Sequence, residues 1–243
     1  MKTIPLLAIA TLPAIIWVTF ADEKPVPEAE IPWEKKAKPV AAVGALFEWI
    51  ELDHRKANQL IRKHATKTDS DELREIVEQL LDEGKAELVE TVYLPSHKNM
   101  RAKSESIEEH IYPTEYDPPE IPTKIPKDFP RDKIPISPAN PTAFDVRNTG
   151  TTVEFDSTVS PDTKIITLEL APEIVRHLGN RTIGDPKVLH ASMAHVYQPE
   201  FHVMRAQTQL RVHEGKHCLV GLASPAGKGD KRVMLFVRAN VLR

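Results

Sequence analysis

Gly150-Thr-Thr-Val-Glu-Phe-Asp-Ser-Thr-Val-Ser-Pro-Asp-Thr-Lys-Ile-Ile-Thr-Leu-Glu-Leu170 is the stretch that decides the fold. Val153, Phe155 and Val159 alternate with Thr152, Glu154, Asp156 and Thr158; Pro161 and Asp162 then break the run, and Ile166, Leu168 and Leu170 resume it. A period of two on both sides of turn-forming residues predicts paired antiparallel strands with one apolar face, reaching to about Val175. Phe201 to Leu222 reads the same way. There Thr208, Leu210 and Val212 share a face, His213-Glu-Gly-Lys216 can turn, and His217-Cys-Leu-Val220 returns as an almost wholly apolar strand. Two hairpins in series predict a curved antiparallel sheet. With two short helices expected in the N-terminal half, the class is α+β, mainly β. Neither hairpin has the makings of an active site, so the sheet is expected to act as a surface or an assembly unit.

Val43 to Leu52 is strand-like, with Ala45, Phe47 and Trp49 on one face and Leu46, Ile50 and Leu52 on the other. Two apolar faces predict a central strand. Asp53 is placed to cap a helix over His54 to His64, whose stripe is Ala57, Leu60 and Ile61, with Lys63, His64 and Lys67 at its C-terminal end. Asp69 and Glu72 stand at capping-box spacing before a second stripe, Leu73, Ile76, Val77, Leu80 and Leu81, and Gly84 supplies the stop. Glu72, Glu75, Glu78, Asp82 and Glu83 lie opposite that stripe and read as a solvated face rather than an acid/base pair. Ala86 to Leu94 alternates as a strand, Pro95 to Asn99 turns, and Met100 to Ile107 returns.

Nine prolines fall between Pro113 and Pro141, with Ile121, Ile125, Ile134 and Ile136 as the regular apolar points. This spacing fits either an extended strap docked on the sheet through its isoleucines or a mobile insertion. Arg176 to Gln198 shows no period and reads as a connection. His190 with His195, and His213 with His217, lack a third ligand at metal-binding spacing, and Gly227 and Gly229 around Lys228 make a turn rather than a phosphate loop. Arg232 to Asn240 alternates as a last strand.

The chain has 243 residues, of which 41% are hydrophobic, enough for one domain with a real core. A formal charge of -3 provides no basic field, so nucleic acid is not an expected partner. Lys2, the apolar run Ile4 to Phe20 and the small-residue site Thr19-Phe-Ala21 predict an export signal over residues 1–21; the alternative is an uncleaved membrane anchor, against which the run is short and carries Pro5 and Pro13. Residues 22–42, charged and carrying Pro25, Pro27, Pro32 and Pro39, read as a flexible arm; Trp33 within it is expected to dock locally. The domain is then 43–243, with the strap at 113–141. Cys218 is the single cysteine, which rules out an intramolecular disulfide, and its apolar strand makes it a small buried hydrophobe. No nucleophile elbow, zinc-protease helix, catalytic-cysteine context or dinucleotide fingerprint occurs. No catalytic residue, metal or cofactor is expected.

The order of these segments resembles the C-terminal homology domain of secretins, the ring-forming outer-membrane channels of type II and type III secretion and type IV pilus systems. Ala45-Leu-Phe-Glu-Trp-Ile-Glu-Leu52 is similar to the family's opening strand, with Glu51 at its acidic position. Glu72 through Pro113 resembles its helix, strand, polar turn and return strand. Asn148 to Phe155 with Lys164 to Val175 resembles its glycine-led strand pair, and Met204 to Gly221 its late hairpin; Arg232 to Leu242 is similar to the terminal strand. The chain departs from the pattern in three places. Only the arm precedes the domain, the family's proline-containing segment that normally follows the late hairpin is absent between Leu222 and Arg232, where Pro225 stands alone, and Glu109 and His110 stand where the family has a return-strand glycine.

The resemblance implies a β architecture, an envelope setting in the periplasm or outer membrane, and function through protein partners or self-association, with membrane association left open. The residues expected to matter are structural: Glu51; Gly150, Gly215 and Gly221 for backbone conformation; and Thr208, Leu210 and Val212 for sheet packing. The alternative is a periplasmic binding module with a groove under the strap, lined by Trp49, Tyr112 or Tyr116.

Overall fold

The computed structural model describes residues 42–64, 67, 69–120, 122–130, 137–183 and 196–242, all within one unit, Ala37–Arg243. The expected export signal, the arm with Trp33, three of the four strap isoleucines, and His190 and His195 lie outside these residues.

Strand β1 (Ala42–Asp53) leads into helix α1 (His54–His64) and helix α2 (Asp71–Asp82). The strands that follow are β2 (Ala86–His97), β3 (Ala102–Asp117), β4 (Asn140–Val159), β5 (Ile165–Leu170), β6 (Glu173–Ile183), β7 (Val196–Arg205), β8 (Thr208–His213), β9 (His217–Ala223) and β10 (Lys231–Leu242). The mainly-β α+β reading stands, and the strands divide between two antiparallel sheets. One has the order β2-β1-β10-β9; the other has β7-β6-β4-β5-β8, with β3 on the free side of β4.

Strict alternation on β1 and β10 explains the layering. Val43, Ala45, Phe47 and Trp49 of β1 and Val233, Leu235, Val237, Ala239 and Val241 of β10 face the second sheet, where Val153, Phe155, Ile166, Leu168 and Val212 complete one core. The opposite faces, Ile50 and Leu52 with Met234 and Phe236, pack on Ala57 and Leu60 of α1 and on Leu73, Val77 and Leu80 of α2. The result is three layers: outer sheet, inner sheet, helices. Each fully buried Phe47, Phe155 or Phe236 contributes about 2–3 kcal/mol relative to exposure.

The helices begin and end for local reasons. Asp53 Oδ1 accepts the Lys56 N–H at 2.9 Å, the expected cap of α1. The expected Asp69–Glu72 capping box is replaced by Ser70 at the N-cap position, without a side-chain cap bond. Glu72 turns instead to Lys67, while the Ser70 hydroxyl accepts the Leu219 N–H at 3.0 Å. At the other end Gly84 adopts φ +67, and Gly84 and Lys85 donate back to Leu81 and Leu80 at 3.0 and 2.7 Å, as a left-handed helix stop requires.

Two expected hairpins are arches. β8 pairs with β5 and β9 with β10, so the turn at Glu214–Lys216 crosses between sheets. β2 and β3 are separated in the same way, with the Asn99 N–H donating to Ser157 O at 3.1 Å. Alternation alone cannot distinguish the two geometries, because both arms of an arch also carry one apolar face.

Candidate assembly surface

β4 is 20 residues long, and only its C-terminal half faces the core. Its N-terminal half and β3, 16 residues long, form a hairpin projecting beyond the sandwich, in register from Ala102↔Phe155 to Asp117↔Asn140. β6 and β7 form a second projecting hairpin, from Glu173↔Arg205 to Ile183↔Val196. Arg176 to Gln198, expected as a connection, therefore contains most of β6 and the start of β7. From Arg176 to Ile183 β6 is exposed on both faces, which is why it carries no period.

Both hairpins leave the core at one level. β5 and β6 are interrupted at Ala171–Pro172, where proline has no N–H for the ladder, and β7 and β8 at Ala206–Gln207. Hydrogen bonds span the breaks: Ala171 N–H to Glu154 O at 2.8 Å and Ala206 N–H to Pro172 O at 3.1 Å. Gly150 sits just above, at φ +119, where a Cβ would lie 2.2 Å from Ser106 O. Only glycine allows β3 to come this close while β4 holds β6 on its other side.

Three consecutive rows run across all four strands at this level: Glu105–Thr152–Glu173–Arg205, Ser106–Thr151–Ile174–Met204 and Ile107–Gly150–Val175–Val203. Among the described residues the outer edges of β3 and β7 have no ladder partner. Each neighbouring pair is antiparallel, so with four strands the two edges run in opposite directions. The rows end in matched chemistry, Glu105 opposite Arg205 and Ile107 opposite Val203. β3 is acidic, with Lys103 against Glu105, Glu108, Glu109, Glu115 and Asp117, whereas β6 and β7 carry Arg176, Arg181 and Arg205 against Glu173 and Glu200. Ile107, Ile111, Phe144 and Val146 on the β3–β4 hairpin are exposed, Ile111 by 63% and Phe144 by 61%.

The other expected site residues sit apart from these edges. Glu51 is buried on β1 and receives the Lys228 ammonium at 2.9 and 3.1 Å. Gly215 makes the β8–β9 arch at φ +76, its N–H donating to Ala239 O at 2.8 Å. Val212 is buried, with Leu210 beside it against the core and Thr208 half-buried on the same face. Gly221 pairs with Leu235 next to a bulge, and a Cβ there would meet open space. Burial pushes the Cys218 thiol up, and the side chain is half-buried against the core.

Trp49 lies in the core against Phe47, whereas Tyr112 and Tyr116 lie on β3, so the three aromatics do not line one groove. The strap joins the tips of β3 and β4; Pro113 to Asp117 and Asn140 to Pro141 belong to that ladder, and Ser137 donates to Glu120 O at 3.1 Å. Ile125 within it is 39% exposed. Among the described residues no group of three or more His, Cys, Asp or Glu could hold a metal, and no helix is long and apolar enough to cross a membrane.

Two polar clusters under α2 leave no mark in the local pattern of residues. Arg74 clamps Glu48 of β1 at 2.8 and 3.0 Å, a bidentate pair that, led by this hydrogen bond, holds the carboxyl below its usual range. Asp71 binds the start of β9 through His217 and Lys216.

No family model and no curated protein matches the sequence. Among solved structures the chain is similar to the secretin domain β-barrel of InvG from the Salmonella SPI-1 injectisome, with a TM-score of 0.41 and 13% identity over 84% of this chain and 63% of that one. It is similar to the type II secretin XcpQ of Pseudomonas aeruginosa, with a TM-score of 0.39 and 12% identity over 86% and 61%. For the type IV competence pilus secretin PilQ of V. cholerae the values are 0.37 and 12% over 86% and 63%. The chain thus spans less than two thirds of each of these structures.

Proposed function

We propose that this chain is a non-enzymatic, exported envelope protein that works by assembling side by side with copies of itself, as a secretin-like component or accessory of a type II/III secretion or pilus-type apparatus. One observation carries the assembly: the four-stranded rows end on two open edges of opposite direction and matched side chains. An open edge leaves N–H and C=O groups for a further strand. Because β3 and β7 run oppositely, a neighbour related by rotation presents β7 to β3 in antiparallel order, Arg205 beside Glu105 and Val203 beside Ile107. Such a head-to-tail contact closes into a ring when the rotation divides a full turn. The kind of apparatus and the envelope setting are taken from the sequence resemblance.

Two single-cysteine proteins in a Cys218→Ser background test this, one with Ile107→Cys and the other with Val203→Cys. Mixed and oxidised, they are expected to give a mixed disulfide dimer, and particle imaging of the unsubstituted protein from envelopes to show rings or arcs. Monomers alone, with no mixed disulfide here or at adjacent register positions, would sink the proposal.

A further inference from the structure

Above Gly150↔Val175 the two projecting hairpins share no ladder, yet they touch again through side chains. The His110 ring of β3 lies against the His177 ring of β6, with centroids 4.2 Å apart and planes tilted by 36°. Phe201 of β7 covers both, at 5.7 Å from His110 and 5.4 Å from His177, and Tyr112 of β3 flanks Phe201 at 5.7 Å. Higher up, the Tyr116 hydroxyl donates to Tyr197 O at 3.2 Å. From the Gly150↔Val175 row down, Glu173 to Val175 pair with β4, and Ile174, Val175 and Met204 are buried, so the β6–β7 hairpin is free of the sandwich only from Arg176 upward.

From this geometry we infer that His110 and His177 form a pH-sensitive latch holding the β6–β7 hairpin against the β3–β4 hairpin. Neutral imidazoles stack as aromatic rings. Imidazole changes charge between about pH 5 and 8, and two cations this close repel. One proton can be tolerated. Glu108 shares the strand face of His110, Asp145 of β4 accepts the Tyr112 hydroxyl at 3.4 Å, and Asn180 Oδ1 lies 3.2 Å from His177 Nε2. Arg147 of β4, in register with His110, opposes even that proton. On the second hairpin Arg176 and Arg181 of β6 oppose a further charge, with Glu200 of β7 against them and His202 of β7 in register with Arg176. The second proton therefore parts the hairpins above the Gly150↔Val175 row, where no ladder joins them, while that row and the two below it stay paired. The latch belongs to a single chain, so it does not depend on assembly.

The test uses the full chain with Cys218→Ser and spin labels at Thr114→Cys on β3 and Gln198→Cys on β7. Distance distributions are recorded at pH 7.5 and 5.5, diluted with unlabelled protein. A short distance at pH 7.5 is expected to give way to a longer population at pH 5.5, the open-to-closed ratio rising at least tenfold. His110→Phe with His177→Phe keeps the aromatic contact and is expected to stay closed at both pH values; His110→Gln with His177→Gln is expected to lose the pH response whatever its starting distribution. An unchanged distribution in the histidine protein, or a shift surviving in either double variant, would overturn the latch.

Discussion

Asp71, the first residue of α2, accepts both the backbone N–H of His217 at 2.8 Å and its ring Nδ1 at 3.0 Å, across 146 residues of sequence. Lys216 holds the other carboxylate oxygen at 2.7 Å, so one side chain ties the helix layer to the edge strand β9.

That tie sets an acid limit on stability. Burial tends to raise the Asp71 pKa, but the His217 N–H, the Lys216 ammonium and the His217 ring outweigh it and lower it from 3.8 to about 2. A carboxyl depressed in the folded state stabilises above its unfolded value, and the contribution is lost as pH falls from near 4 through about 2. Discounted for partial exposure, Asp71→Asn is expected to cost about 1–2 kcal/mol at pH 7 and almost nothing near pH 2. Urea unfolding at the two pH values checks this.

Gly150→Ala places a Cβ 2.2 Å from Ser106 O on a backbone at φ +119. The expected cost exceeds about 3 kcal/mol, with loosening of the β3–β4 register visible in amide exchange. Gly221→Ala, where the space is open, is expected to stay within about 0.5 kcal/mol. Thermal melts of the two variants decide whether conformation or mere smallness is needed at each glycine.

Arg74→Met strands Glu48, whose side chain is only 11% exposed. Loss of about 3 kcal/mol is expected, most of it recovered in Glu48→Met with Arg74→Met, because an unpaired buried charge costs more than the pair contributes. A double-mutant cycle by denaturant unfolding measures the difference.

His64 is buried at the end of α1, and among the described residues neither ring nitrogen has a hydrogen-bond partner. Burial, then Lys67 and Lys63, lower its pKa. The unfolded chain therefore takes up a proton that the folded chain resists, and stability is expected to fall as pH drops below about 6.5. His64→Leu should flatten the stability profile between pH 7.5 and 5.5.

The core strands and both helices were legible because burial imposes periods of two and of 3.6. Val153 to Leu170 and Ala45 to Leu52 keep those periods, and Asp53 and Gly84 mark the helix ends. β6 from Arg176 to Ile183 was illegible because exposure on both faces selects no period; its pairing with the first half of β7 is written in neither strand alone. The arches read as hairpins for a related reason, since the pattern of Thr208 to Val220 records which side is apolar and not which strand lies alongside.

Local pattern and composition specify the class of fold, the central strand, the start of α1 and the stop of α2, and they contain no recognisable catalytic motif. That Glu48 meets Arg74, that Asp71 meets His217, that His110 stacks on His177, and that Glu105 and Arg205 end the same row comes from the tertiary arrangement alone. Those pairs are set by how two sheets and a helix layer stack, and no local period in the chain encodes that distance.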